Sequence, residues 1–456
     1  MTLLLAIFAP AASAIDFDLN DDGTVAEPTS TACPTFTATP PPIAAFFNTT
    51  DTELRGFADP GNQDAWDYAS KVAQAICGAS TGSTITIGMF FVRALGTMTA
   101  AGLGERPESD PEVIYDAMEY VKAKRGVKIG LVLEDGDITG AGPKAMIKKR
   151  LAGLVDVYWC RNGCFNINGG SVYPYAVNHE KFMTISDTIW PNSTAGPHPF
   201  IYSASGNWAR SQVRNFWQET TFIYDDKTLY DQFVGRYKGM VSCAQVTPTG
   251  TKSTCSTSAG FPSILQLRLQ NKIWVDPFYR HYTDSGRGTA VSFSPAPTGT
   301  RDYYIQQFDD VDCAVDNKVR VAMYQLSVAK APSMIKSLKR LKNRGCSVKL
   351  VLTGPMGSSF VAPTVVSLLK DSGLWFRCTA LPLHTKLVVI GPTYGLNGRV
   401  LTGTVNMSVA GLRYSEEHVL TFDTRRTSPA FSEATERAYG DYLQGWYDLA
   451  KDSKSC

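Results

Sequence analysis

The chain has 456 residues, 44% of them hydrophobic and 19% charged, against about 25% charged in an average soluble domain. That composition supplies a large core and excludes a disordered protein. Lys+Arg 44 against Asp+Glu 42 leaves a net charge of +2, which excludes a broadly basic polyanion binder but not a local cationic cleft.

Residues 1–14 hold an apolar run from Leu3 to Ala9, followed by small residues at Ala12, Ser13 and Ala14. This is the pattern of a secretory signal peptide, although the usual basic start is missing. No later run reaches the length of a membrane-spanning helix. Residues 15–43 are rich in Asp, Thr and Pro and read as a lightly tethered arm. Asp18, Asn20, Asp22 and Gly23 match the opening of a calcium loop, but its twelfth position is Thr29 instead of Glu. An acidic arm is the better reading. Export would let the ten cysteines pair. Close spacing suggests Cys160–Cys164 and Cys243–Cys255 as structural loops. Cys33, Cys77, Cys313, Cys346, Cys378 and Cys456 remain for longer links of open connectivity. Asn48 and Asn192 open glycosylation sequons.

Beyond the arm the chain repeats. Residues 125–133 (RGVKIGLVL) align without gaps on residues 344–352 (RGCSVKLVL). A proline-opened helical stretch precedes each copy, at 110–124 and 331–343, and a strand-like run precedes each helix, at 83–92 and 317–326. Further strands are expected near 155–160, 181–187, 200–205 and 220–226. In the second copy they are expected near 385–390, 399–404 and 418–423. Helical runs at 226–241 and 432–451 close the two parts. Apolar strands alternating with amphipathic helices predict an α/β fold in two similar halves, 44–260 and 261–456. Chemistry is expected at their interface.

The sequence has only five histidines. His179 and Lys181 enter one strand, and His384 and Lys386 enter the matching one. On a strand, residues two apart share a face, so each pair can serve one phosphate. Downstream lie matched small-residue turns, Ser205-Gly206-Asn207 and Thr404-Val405-Asn406. An acid follows each, Glu219 after Asn207 and Glu417 after Asn406. A carboxylate near an imidazole fixes its tautomer. His198 is expected at the surface. His281 is a weaker candidate for the cleft, and His418 should point away from Glu417.

Two copies of His-x-Lys, a turn ending in Asn, and a Glu resemble the phospholipase D superfamily over nearly the whole mature chain. Two departures stand out. Asp187 lies one residue late after the first motif, with Ser186 in its place, and Gly391 stands where the second Asp would be. The resemblance implies two α/β-sandwich halves, mixed sheets flanked by helices, fused about a pseudo-twofold axis. It implies a phosphohistidine on His179, with His384 as general acid and base. Lys181, Lys386, Asn207 and Asn406, assisted by Ser205 and Thr404, would bind the phosphate, and Glu219 and Glu417 would orient His179 and His384. It implies no metal or cofactor. The expected substrate is a phospholipid at a membrane surface, with water or an alcohol as acceptor, and the expected enzyme is a secreted monomer. Two other readings share these residues: a secreted nuclease, and a catalytically weak binding protein. The basic run at 336–344 favours the nuclease only if it lies at the cleft, and its helical spacing reads as a solvated face.

Overall fold

The computed structural model describes residues 33, 36, 39–48, 63–92, 109–135, 147–161, 163–165, 177–194, 196–209, 216–244, 281–282, 286–295, 301–354, 361–379, 383–392 and 398–456. The expected leader, the calcium-like loop and Cys255 lie outside these residues.

The first sheet has seven strands: β1 (Ile43–Asn48), β2 (Thr84–Met89), β3 (Lys128–Glu134), β4 (Asp156–Cys160), β5 (Lys181–Ile185), β6 (Phe200–Ala204) and β7 (Gln218–Tyr224). Their order is β1-β7-β6-β5-β2-β3-β4. The second sheet has nine: β8 (His281–Tyr282), β9 (Arg287–Ser294), β10 (Lys318–Met323), β11 (Ser347–Leu352), β12 (Trp375–Thr379), β13 (Lys386–Ile390), β14 (Arg399–Gly403), β15 (Glu417–Thr427) and β16 (Ser453–Lys454). Their order is β16-β12-β11-β10-β13-β14-β15-β9-β8. Without the two-residue edges β8 and β16, the orders correspond strand for strand. The fold is therefore the expected α/β pair of mixed sheets.

The chain chemistry explains the layers. β2 and β3 run parallel, as do β10 and β11, so each pair needs a crossover. The helices Ser109–Arg125 and Ala331–Asn343 supply it. β5 (KFMTI) and β13 (KLVVI) are buried throughout, as strands covered on both faces must be. Asp226 caps the helix Lys227–Cys243 by accepting the Leu229 amide at 3.0 Å. This helix and the last one, Ser432–Lys451, close the two halves and contribute to one shared core. Phe182, Ile201 and Phe233 of the first half join Leu387, Val400, Leu420 and Trp446 of the second in that core. Backbones come close there: a Cβ on Gly445 of the last helix would lie 2.6 Å from the Phe47 ring in β1. The basic run at 336–344 lies on the crossover helix, with Lys336, Lys339 and Arg340 exposed, as its spacing suggested.

Disulfides join Cys33–Cys77, Cys160–Cys164, Cys313–Cys346 and Cys378–Cys456, and Cys243 is disulfide-bonded as well. The end of the Thr/Pro arm is pinned to the first half. Cys33 is bonded there, Phe36 packs on the core, and Thr39 donates to the Pro191 carbonyl at 3.2 Å. His198 is buried, contrary to expectation. Its Nδ1 lies 2.8 Å from Asp225 Oδ1, its Nε2 lies 2.9 Å from the Thr194 carbonyl, and its ring packs on Trp190. Three partners offset the cost of desolvating a ring in a loop.

Candidate active site

Both His-x-Lys motifs sit where the sheets meet. Backbone bridges join the halves there, Asn178 to Glu416 and Trp217 to Leu383. The His179 amide donates to the Glu416 carbonyl at 2.9 Å, and the His384 amide to the Trp217 carbonyl at 2.8 Å. The two imidazoles thereby come together, with ring centroids 6.5 Å apart. Lys181 Nζ donates to the His179 carbonyl at 2.8 Å, and Lys386 Nζ to the His384 carbonyl at 2.6 Å. Lys386 Nζ also lies 3.1 Å from His384 Nδ1.

The acids are arranged differently from expectation. Glu417 faces the histidine of the other half: its Oε2 is 3.0 Å from His179 Nδ1, near but not aligned as a hydrogen bond. Glu219, expected to orient His179, contacts other groups. Its Oε1 accepts from the Lys386 amide (3.0 Å) and Thr402 (3.1 Å), and its Oε2 accepts from Ser205 (2.9 Å). The strand register explains the mismatch. The Ser205 amide donates to the Glu219 carbonyl, and the Thr404 amide to the His418 carbonyl. The structural counterpart of Glu219 is therefore His418, and that of Glu417 is Gln218. Neighbours on a strand face opposite ways, so the two glutamates lie on opposite faces of their strands.

Gln218 was missed in the sequence. It is fully buried, on the face equivalent to Glu417, and both side-chain polar atoms lack a hydrogen-bond partner. The signal was available: Gln218 and Glu417 each lie eleven residues after their asparagine. Phe90 and Tyr324 were missed too. They occupy equal places after β2 and β10. Phe90 packs on His179 (centroids 5.0 Å) and under Lys181, and Tyr324 packs on His384 (4.6 Å) and under Lys386.

Asn207 and Asn406 both lie buried beside the cleft. Asn406 Oδ1 has no partner, and Asn207 Oδ1 accepts the Phe91 amide at 3.4 Å. Ser205 and Thr404, expected at the phosphate, instead brace backbone. Ser205 Oγ accepts the Glu219 amide at 3.1 Å, and Thr404 Oγ1 accepts the His418 amide at 2.9 Å. The displaced Asp187 serves structure. It accepts from Ser80 Oγ at 2.5 Å and from the His198 amide at 2.7 Å. It lies beyond the far end of β5 from Lys181, roughly 20 Å along an extended strand.

Burial, then Lys181 and Lys386, push both imidazoles well below the ordinary histidine value. This favours the neutral form of each ring. Burial also lowers Lys386 to about 7 and raises Glu417 well above the usual carboxylate range. A phosphodiester anion between the lysines would reverse the penalty on every cation there. The arrangement thus offers a neutral imidazole to attack, a second to carry a proton, and cationic and amide groups to hold phosphoryl oxygens.

Residues 313–438 match the family model of the cardiolipin synthase PLD-like domain. These residues of the second half are similar to the phospholipase D superfamily. Among solved structures it is similar to phosphatidylserine synthase from Haemophilus influenzae Rd KW20, at 10% identity and a TM-score of 0.51, over 83% of this chain and 85% of that one. That likeness shows the phospholipase D fold alone. Nuc, a phospholipase D family member from Salmonella typhimurium, matches at 18% identity and a TM-score of 0.27, over 37% of this chain and 98% of that one. The polyphosphate kinase from Porphyromonas gingivalis matches at 12% identity and a TM-score of 0.46, over 86% of this chain, which spans only 48% of the kinase. No curated protein matches in sequence.

Proposed function

We propose that the protein is an exported phospholipase D-type enzyme that cleaves a phospholipid head group, or exchanges it, through a phosphohistidine. The observation that carries the reading is the pair of imidazoles, one from each half, with ring centroids 6.5 Å apart and Lys181 and Lys386 beside them. His179, with Glu417 beside it, attacks phosphorus, and an N–P bond forms as the P–O bond to the leaving alcohol breaks. Binding of the phosphodiester anion favours the imidazolium form of His384, which gives that alcohol its proton. His384 then takes a proton from water or a second alcohol, whose oxygen displaces His179 from phosphorus. Lys181, Lys386, Asn207 and Asn406 hold the phosphoryl oxygens. A single chain contributes both histidines, which suits a monomer. The near-zero net charge favours a lipid over a long polyanion. Among the described residues no helix is long and apolar enough to cross a membrane.

The test uses the mature protein with EDTA on phosphatidylcholine vesicles and on single-stranded DNA, beside His179→Ala and His384→Ala. Head-group release lost in both variants supports the proposal. DNA cleavage without head-group release overturns it in favour of a nuclease. Silence on both substrates, with intact folding, favours a binding protein.

A further inference from the structure

A buried polar cluster lies one residue away from the catalytic pair, and the mechanism does not use it. Glu180 stands between His179 and Lys181, and His418 follows Glu417. His418 Nδ1 lies 2.6 Å from Glu180 Oε2, and His418 Nε2 lies 2.6 Å from Ser203 Oγ. Arg236 Nε donates to Glu180 Oε1 at 2.8 Å, and its guanidinium donates to the Ser294 carbonyl at 2.5 Å. All four side chains are buried, and Phe182, Phe233 and Phe293 enclose the His418 ring. Burial alone would raise the Glu180 carboxyl, but Arg236 and His418 hold it below the usual range. The Ser–His–Glu set resembles a hydrolytic triad, yet it is sealed from any substrate.

The other half shows what the cluster replaces. By strand register Thr385 corresponds to Glu180, Thr402 to Ser203, and Glu219 to His418. That pocket is tied by Glu219 to the Lys386 amide and to Thr402. The second motif reaches the other half through a neutral hydroxyl, Thr385 Oγ1 donating to the Trp217 carbonyl at 3.2 Å, whereas the first does so through the carboxylate of Glu180. Neighbouring residues on a strand face opposite ways. The same two strand ends are therefore tied twice, by Glu180–His418 on one face and by His179–Glu417 on the other.

We propose that Glu180 and His418 are positioning residues that fix the His179 imidazole against Glu417 across the junction of the halves. Misplacing a reacting group by about 1 Å costs on the order of 100-fold in rate. His418→Leu cuts the tie and leaves the Glu180–Arg236 ion pair intact, so no new buried charge is left alone. His418→Gln restores a donor towards Glu180 and an acceptor for Ser203.

This inference rests on the proposed function only for its rate readout. The second readout, the pH titration of the five imidazoles by 15N NMR with His179→Ala and His384→Ala for assignment, needs no turnover. Expected for His418→Leu are a kcat lower by on the order of 100-fold on an aryl phosphodiester, KM nearly unchanged, and a displaced His179 titration beside an unmoved His384. His418→Gln should return both readouts most of the way. Ser203→Ala, which frees one side of the His418 ring, should move His179 in the same direction by less, and decides the matter if His418→Leu does not fold. An unmoved His179, or equal movement of His179 and His384, would overturn the inference. Absent turnover in the wild type would sink the proposed function while the titration still decides the tether.

Discussion

Glu417→Gln separates the crossed arrangement from pairing within each half. Glu417 Oε2 lies 3.0 Å from His179 Nδ1 in a buried site. At an effective dielectric of about 20, a full carboxylate and imidazolium at that separation attract by about 5 kcal/mol; because burial favours the protonated form of Glu417, this is an upper limit only, near four decades. Glutamine keeps an oxygen in place, so the loss reduces to the charge-assisted part of one contact, about 1.5–3 kcal/mol, or roughly 10- to 150-fold. We expect kcat/KM on an aryl phosphodiester to fall by about 100-fold, mostly in kcat. Glu219→Gln meets different partners, the Lys386 amide, Thr402 and Ser205. It should lower the thermal midpoint and reduce kcat/KM by less than about tenfold. The assay is steady-state kinetics on both variants, with circular dichroism melts beside it. A larger kinetic loss in Glu219→Gln, both variants being folded, would refute the crossed pairing.

The pH profile has a definite sign. His179 must be neutral to attack, and burial puts it well below its ordinary value, so the acid limb of kcat/KM should lie below about pH 6.5. Lys386 binds the anion only while protonated, so kcat/KM should fall as pH rises through about 7. A profile still rising at pH 8 would contradict this. Asp187→Ala orphans Ser80 and the His198 amide, costing about 1–3 kcal/mol in denaturant melts with little change in kcat/KM. A near-complete loss of activity in the folded variant would give that acid a chemical role. Loop entropy predicts that losing Cys378–Cys456, separated by 78 residues, costs about 4.5 kcal/mol, against about 2 for Cys160–Cys164, separated by 4. Urea melts of the paired Cys→Ser variants check that order.

The sheets and crossover helices were legible because apolar runs such as KFMTI and KLVVI have no other use. The His-x-Lys pairs were legible because spacing alone puts both side chains on one face. The partners of Glu219 and Glu417 were not. The acids stand twelve and eleven residues after their asparagines, and one residue on a strand reverses the face. The burial of His198 was hidden because its partners, Asp225 and Trp190, lie outside its short loop. β1 was not expected as a strand, because its pairing with β7 is a long-range contact that local composition does not announce.

The last helix has a consequence for biosynthesis. Ser432–Lys451 packs on β1, with Gly445 against Phe47, and Tyr442 bonds to Thr221 of β7. β7, which completes that edge, ends at Tyr224, so a growing chain leaves the ribosome with that side of its first sheet uncovered for some two hundred residues more. The exposed β1–β7 edge is an aggregation hazard for all of that time. A chain stopped before residue 432 would lack more than its own closing helix, because the first half would never acquire its cover.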